Sequence, residues 1–394
     1  MVLQKDFFDL PTGMIYLDGN SLGPLPKTAK ARVAAMMQDE WGAQLIKGWN
    51  SAGWMAQPSR IGDAVGRLIG APTGSVVMGD TLSIKVYQAV AAAIRMRPER
   101  RVILSDSGNF PTDLYMAQGL IRALDQGYEL RVVAPDEVTE AIDDSVAAVM
   151  LTEVDYRTGR LHNMGDLTKR AHAAGAIMIW DLAHSAGAIP VDLAGCGCEL
   201  AVGCTYKYLN GGPGAPAFIY VRPDLADTIE PALAGWLGCA APFDFDLEYR
   251  PAPGIERMRV GTPPVIQLAA LEAALEVWEA VDMSELRSAS IALQETFIHH
   301  VEARVPQLAL ASPRDSAQRG SQVSFAFENG YAAMQALIAR GVIGDFRAPD
   351  IMRFGFTPLY IDEADVIAAV DHIEVVMRDR IWDDPQYLTR QRVT

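Results

Sequence analysis

The segment CTYKYLNGGPGAPAFIY, residues 204–220, is the most informative part of this sequence for the fold. The apolar run 200–206 predicts a buried strand that leaves Lys207 at its end, and a Gly/Pro-rich loop separates it from a second apolar run. A lysine at a strand end is partly desolvated and can act as a nucleophile. Taken alone, Lys207 is better interpreted as a lysine of a surface loop, and only its neighbours in the sequence favour the nucleophile.

A second strand end lies upstream, in AIMIWDLAHSAG (residues 176–187). The apolar run ends at Trp180 and is followed at once by Asp181 and His184. An amine that can form a Schiff base and an acid that can pair with a pyridine nitrogen are what a pyridoxal phosphate site requires. The sequence therefore predicts this cofactor, with Lys207 and Asp181 as its main partners.

Short apolar strands alternate with helical stretches from about residue 60 to 280, which predicts an α/β fold with a mainly parallel sheet covered on both faces. Ligands of such sheets bind at the carboxyl ends of the strands. After the prolines at 263–264 we predict a long helix over 265–281 and then a smaller α+β unit. The predicted domains are an N-terminal segment, 1–50, packing on both domains, a large domain, 51–281, and a small C-terminal domain, 282–394.

Composition limits the function classes. The chain has 394 residues, of which 50% are hydrophobic, and a formal net charge of -15, which argues against nucleic-acid and anionic-membrane partners. We find no leader pattern and no apolar run of membrane-spanning length, so the expected location is the cytoplasm. The four cysteines predict neither a disulfide framework nor a metal site.

Two further strand-to-helix turns carry candidate cofactor contacts. In MGDTLSIKV, the turn holding Thr81, Leu82 and Ser83 offers backbone N–H groups at a helix N-terminus, where a phosphate can bind. In SDSGNFPTDLY, Phe110 can stack on an aromatic ring and Asp113 can bond its substituents. In isolation, ordinary helix capping explains the first turn better than phosphate binding does, and it explains the second turn equally well.

Arg353 interrupts an apolar strand in IMRFGFTPLY. A guanidinium in such a strand is costly unless paired, and its planar geometry suits a substrate α-carboxylate. An internal salt bridge is the alternative. Trp236 and Thr262 lie on irregular segments where their polar atoms can face a ligand, although packing alone also explains the tryptophan.

Together these segments resemble the kynureninase family, within the fold-type I, class V superfamily of pyridoxal phosphate enzymes. The resemblance covers about residues 15–375 and rests on LDGNSLGP, GDTLS, SDSGNFPTD, TEVDYRTG, WDLAHSAG, CTYKYLNGGPGAP, GWLG, RVGTPP and RFGFTPLY, in this order. It implies a large domain with a seven-stranded type of sheet. It also implies hydrolysis of L-kynurenine, with 3-hydroxykynurenine as a further substrate, to anthranilate or 3-hydroxyanthranilate and L-alanine in tryptophan degradation or NAD precursor synthesis.

The resemblance also implies roles for individual residues. Lys207 would hold the cofactor as a Schiff base, Asp181 would bond the pyridine nitrogen, and Tyr206 would donate protons. Arg353 would bind the substrate carboxylate, and Trp49 would lie near the pocket for the substrate's aromatic ring. The implied cofactor contacts are Thr81, Leu82, Ser83, Phe110, Pro111, Thr112, Asp113, Thr152, Asp181, His184, Tyr206, Lys207, Trp236 and Thr262. The family brings Trp236 and Thr262 from the neighbouring subunit, which implies a homodimer with shared active sites.

Two positions depart from the pattern of the family: Cys239 stands where histidine is common, and Lys85 where asparagine is common. Other class V enzymes, such as a cysteine desulfurase or an aminotransferase, are the nearest alternative function. A binding module that has kept the fold without activity is the second, although it would not need to retain both Lys207 and Asp181.

Overall fold

The computed structural model describes residues 4–390. In this range the strands form sheets of seven, four and two members. They are, in chain order, β1 (Ile15–Tyr16), β2 (Val76–Met78), β3 (Val102–Asp106), β4 (Glu129–Val133), β5 (Val146–Thr152), β6 (Ile177–Asp181), β7 (Leu200–Gly203), β8 (Phe218–Val221), β9 (Ala309–Leu310), β10 (Gln322–Ala326), β11 (Val342–Ile343), β12 (Asp345–Arg347) and β13 (Ile351–Gly355).

The large sheet has the order β2-β8-β7-β6-β5-β3-β4. Strands β3 to β7 pair in parallel, and β8 is antiparallel to both β7 and β2. The predicted seven-stranded, mainly parallel sheet is therefore confirmed.

One predicted boundary in this sheet is wrong: the strand expected over 200–206 ends at Gly203. Residues after it turn, with Asn210 in the left-handed region (φ 60°) and Gly211 N donating to Thr205 O at 2.8 Å. Lys207 therefore lies in a turn beyond β7.

Helices cover the large sheet on both faces. Successive strand residues alternate between two cores, so that Met178 and Trp180 pack on one face while Ile177 and Ile179 pack on the other. The α-helices are α1 (Lys27–Ala35), α2 (Gly48–Ser51), α3 (Gln57–Leu68), α4 (Leu82–Arg95), α5 (Pro111–Leu124), α6 (Val138–Ala141), α7 (Met164–Ala173), α8 (Leu193–Cys196), α9 (Pro223–Ala226), α10 (Val265–Leu275), α11 (Met283–Arg304), α12 (Gly330–Ile338), α13 (Glu363–Arg378) and α14 (Pro385–Leu388).

The helix predicted over 265–281 is shorter than expected. It is α-helical through Leu275 and then tightens into a 3₁₀ turn, Glu276–Trp278. Such tightening is common at helix C-termini.

The small sheet is antiparallel, in the order β12-β13-β10-β9, and packs with α11 and α12. The N-terminal segment contacts both parts of the chain. Its strand β1 pairs with β11, and Gly23 N donates to Tyr206 O at 2.8 Å. The division into 1–50, 51–281 and 282–394 stays a prediction, and its ends at residues 1–3 and 391–394 lie outside the described range.

Within residues 4–390, no helix has both the length and the apolar character needed to cross a membrane.

Candidate active site

The carboxyl ends of β2, β3, β5, β6 and β7 meet at one edge of the large sheet, because these strands share one direction. The turns that leave them, together with the N-terminal segment and the small sheet, enclose a cavity of about 340 Å³. Its lining residues are Asn20, Ser21, Leu82, Ser83, Phe110, Thr112, Asp113, Thr152, Tyr156, Asp181, Ala183, His184, Tyr206, Lys207, Arg347 and Arg353.

Lys207 and His184 are in direct contact in this cavity. The distance from Lys207 Nζ to His184 Nε2 is 2.8 Å. Burial, followed by the positive charge of Lys207, holds the pKa of His184 well below its usual value, so the imidazole is neutral. Lys207 Nζ therefore donates to Nε2, and the ring proton is on Nδ1, which has no hydrogen-bond partner within residues 4–390.

Asp181 and Asp113 form a buried acidic pair. Burial raises the pKa of Asp181 to about 6, while Lys207 acts to lower it. Burial, reinforced by Asp181, raises the pKa of Asp113 well above its usual value. Asp113 therefore holds its proton more tightly than Asp181 does, and Asp181 is the member of the pair that ionises first, with Oδ1 accepting from Ala183 N at 2.9 Å.

The N-terminus of α4 points at the cavity. Thr81 occupies the N-cap position but makes no side-chain capping bond, so the first-turn N–H groups are left for another acceptor. Below this turn lies Lys85, which is fully buried, with Nζ at 3.4 Å from Asp80 Oδ2 and 3.1 Å from Met258 O. Uncapped N–H groups and the helix dipole make this end of the cavity suited to a phosphate.

Two aromatic rings stand at the cavity wall. Phe110 caps α5 and meets Tyr156 edge to face, with ring centroids 5.1 Å apart. Thr152 lies opposite Asp181 in the register of β5 and β6, so a planar ring held by Asp181 would have Thr152 beside it.

Arg353 forms an internal salt bridge, which was one of the two alternatives left open by the sequence, and its role toward a substrate stays a prediction. It lines the cavity, and it also forms a buried pair with Asp345, its direct cross-strand neighbour, with Nε at 2.6 Å from Oδ1. Nη2 contacts Asp345 and donates to Ser21 Oγ at 2.9 Å, while Nη1 donates to Tyr156 O. Burial would raise the pKa of Asp345, but Arg353 outweighs it and leaves that pKa below its usual value.

Five of the predicted site residues are not part of this cavity. Thr81 and Pro111 begin the adjoining helical turns. Trp49 and Trp236 instead line a second, mostly apolar cavity of about 490 Å³, and Thr262 is exposed outside both.

Five lining residues were not predicted from the sequence: Asn20, Ser21, Tyr156, Ala183 and Arg347. Asn20 and Ser21 belong to LDGNSLGP, a motif used for the resemblance but given no role. Arg347 pairs with Asp345 at 2.7 Å, and no local pattern distinguishes it from other strand arginines.

Comparisons with known proteins show which family this chain belongs to. The family model described as "Kynureninase C-terminal domain" matches residues 286–373. A kynureninase from Pseudomonas fluorescens is 50% identical over 394 residues, covering 98% of this chain and 95% of the relative. The chain belongs to the kynureninase family. A second kynureninase, from Burkholderia pseudomallei, is 49% identical over 99% of this chain and 95% of its own length.

Solved structures outside the kynureninase family share the fold. A cysteine desulfurase from Thermococcus onnurineus superposes with a TM-score of 0.80 at 18% identity, covering 96% of this chain and 99% of that chain. The cystine C–S lyase C-DES, complexed with cysteine persulfide, superposes with a TM-score of 0.78 at 16% identity, covering 92% of this chain and 98% of its own. At such identities the likeness is evidence for the fold alone.

The cavity of this kynureninase family member fits pyridoxal phosphate by its own chemistry. It offers an amine on Lys207, a charged carboxylate on Asp181 and an uncapped helix N-terminus at α4. The orphaned, buried Nδ1 of His184 adds a polar atom that needs a partner. The amine, carboxylate and anion-binding helix end are the three elements that the cofactor requires.

Proposed function

We propose that this protein hydrolyses L-kynurenine to anthranilate and L-alanine with pyridoxal phosphate, and that 3-hydroxykynurenine is its alternative substrate. The observation that supports this most is that Lys207, Asp181 and Arg353 share one cavity in a chain related to kynureninases over nearly its whole length.

In this proposal the residues at the strand ends hold the cofactor. Pyridoxal phosphate supplies an aldehyde that condenses with amines and an electron-withdrawing ring that stabilises negative charge at the substrate's Cα. Asp181 keeps the ring nitrogen protonated, since it is the charged member of its pair with Asp113. The phosphate group takes the N–H groups of Leu82 and Ser83, and Phe110, Thr112 and Thr152 flank the ring.

Lys207 moves protons at the reacting carbons. The free amine of Lys207 would remove the Cα proton of the substrate, and the neutral His184, 2.8 Å away, would accept a hydrogen bond from it. The neighbouring Cys204, followed by burial, keeps the pKa of Tyr206 above its usual value, so the phenol keeps its proton. Tyr206 is therefore a proton donor, suited to protonating the Cβ that becomes the methyl group of alanine after water has attacked the γ-carbonyl.

Arg353 binds the substrate's α-carboxylate, which fixes the Cα–H bond relative to Lys207. Asp345 holds the guanidinium in place while leaving it in contact with the cavity.

The proposed assembly is a homodimer with shared active sites. Its support is an exposed apolar surface around the second cavity: Ile46, Trp236 and Phe243 are 77%, 46% and 58% exposed. Large apolar patches of this kind are typical of interfaces. In this arrangement Trp236 and Thr262 reach the partner's cofactor phosphate, Trp49 lies near the substrate's ring, and 51–281 and 282–394 are the large and small domains of each subunit.

The test is the formation of anthranilate from L-kynurenine and of 3-hydroxyanthranilate from 3-hydroxykynurenine, each followed by its fluorescence after supply of pyridoxal phosphate. Sulfide release from L-cysteine is measured in parallel, because the desulfurase fold is the same. We expect anthranilate and no sulfide. Sulfide without anthranilate would reassign the protein to the desulfurases.

A further inference from the structure

Asn20 is a buried amide without a partner. Its exposed fraction is 0%, and neither Oδ1 nor Nδ2 has a hydrogen-bond partner within residues 4–390. Leaving both ends of a carboxamide unpaired is costly, and buried polar groups of this kind are rare in folded proteins. Since Asn20 lines the cavity, the missing partner is expected there.

The chain makes room for this amide. A Cβ on Gly355 would overlap Asn20 Oδ1, so the amide is held against a glycine that no other residue can replace without a shift. Gly355 is itself fixed, because its N–H donates to Leu17 O at 2.7 Å. Packing against Gly355 therefore fixes the position of the Asn20 amide, although neither of its polar atoms has a hydrogen-bond partner within residues 4–390.

Asn20 also lies on the segment that connects Arg353 to Lys207. The next residue, Ser21, contacts both Arg353 and Asp345. Gly23 donates to Tyr206 O, directly before Lys207. A ligand that lies between the guanidinium of Arg353 and the amine of Lys207 would therefore lie beside Asn20.

Arg353 alone has few free hydrogen-bond donors for such a ligand. Of its five N–H groups, one at Nε and two at Nη2 are used by Asp345 and Ser21, and one at Nη1 by Tyr156 O. One N–H is left, whereas a carboxylate accepts up to about four hydrogen bonds. A second donor is needed, and Asn20 Nδ2 is unused.

We propose that Asn20 is a substrate-binding residue whose Nδ2 donates a hydrogen bond to the α-carboxylate of the amino-acid substrate, beside Arg353. This inference rests on the function proposed above.

Asn20→Leu tests it, because leucine keeps the branched shape and removes both polar atoms. Spectral titration of the holoenzyme with L-alanine, the carboxylate-bearing product, measures the contact without turnover. A hydrogen bond to a charged group predicts affinity for L-alanine roughly 10- to 150-fold weaker. Ethylamine lacks the carboxylate, and its affinity should be the same in both proteins.

The melting temperature without ligand separates binding from structure. Removing an unpaired amide leaves it unchanged or raised, whereas a drop would mean that Asn20 has a structural partner and would overturn the proposal. Gly355→Ala, which displaces the amide but keeps it, should show the same selective loss for L-alanine. It tests the same contact in a variant that retains the amide.

Tyr220→Phe is the control, since it removes another buried polar group without a described partner, a phenol hydroxyl, away from the cavity. We expect the affinities for L-alanine and for ethylamine to be the same in this variant as in the wild type. Equal losses for L-alanine and ethylamine, or no loss for either, would overturn the role of Asn20. Wild-type anthranilate formation is measured alongside: its absence with the L-alanine selectivity intact rejects the proposed function alone, and its presence without that selectivity rejects the inference alone.

Discussion

Glu153 gives a sharp test of the electrostatics behind the site. It follows Thr152 at the end of β5, its N–H donates to Asp181 O at 3.0 Å, and its side chain is buried with Oε2 unpaired within residues 4–390. Burial raises the pKa of this carboxyl from 4.5 to about 7. The folded protein therefore binds the Glu153 proton more tightly than the unfolded chain does.

The sign follows from proton linkage. Between pH 4.5 and about 7 the folded state holds more protons at this site, so its contribution to stability is present at low pH and is lost as the pH rises. Compared with a glutamate whose pKa does not change on folding, Glu153 lowers the free energy of unfolding by about 3 kcal/mol at pH 8 and by about 1 kcal/mol at pH 5. Glu153→Gln cannot ionise and should remove this penalty.

The assay is urea unfolding of wild-type and Glu153→Gln holoenzyme from pH 5 to pH 8, followed by circular dichroism and fluorescence. We expect the variant to gain about 2 kcal/mol relative to wild type between these two pH values. Glu328→Gln, at an exposed position, is the control, and its unfolding free energy should differ from that of the wild type by the same amount at every pH. A constant difference for Glu153→Gln as well would refute the reasoning, because it would mean that burial does not perturb this carboxyl.

Three further substitutions test the site. Lys207→Ala should abolish anthranilate formation and the visible absorbance of bound cofactor; a yellow, active variant would remove Lys207 from its proposed role. Arg353→Ala should raise KM for L-kynurenine by roughly tenfold or more through loss of a charge-assisted contact, and an unchanged kcat/KM would make this arginine purely structural. Asp345→Asn leaves the buried Arg353 without its counter-charge and should lower the unfolding free energy by about 3–5 kcal/mol in urea; a loss below about 1 kcal/mol would mean that the pair is well solvated.

The sequence was sufficient to predict those site residues that directly follow a run of apolar strand residues. Strands in a parallel α/β sheet end at one edge, so apolar runs followed by Asp181 and Lys207 predicted their meeting without knowledge of the strand order. It was insufficient where the site depends on distant pairing. Arg353 finds Asp345 through the register of β12 and β13, and Asp350 was an equally plausible partner in the sequence.

The N-terminal contribution was also beyond local patterns. Asn20 and Ser21 reach the cavity because β1 pairs with β11, more than 300 residues later in the chain, over only two residues of register. A pairing so short and so non-local leaves no hydrophobic periodicity that could reveal it. The sequence around Asn20 predicts a turn, but it does not predict that this turn lines the cavity.

The charges around Arg353 explain why this end of the cavity should attract one anion rather than none. Arg353 and Arg347 are both paired with the single charge of Asp345, whose pKa they lower. The neighbouring Asp18 does not complete the balance: burial, followed by repulsion from Asp345, raises its pKa to about 8, so it is mostly neutral at pH 7. Two positive charges therefore face one negative charge, and a single substrate carboxylate neutralises the cluster. Above pH 8 Asp18 ionises and this surplus disappears, so the same cluster that favours an amino acid at neutral pH should hold it less tightly in alkaline solution.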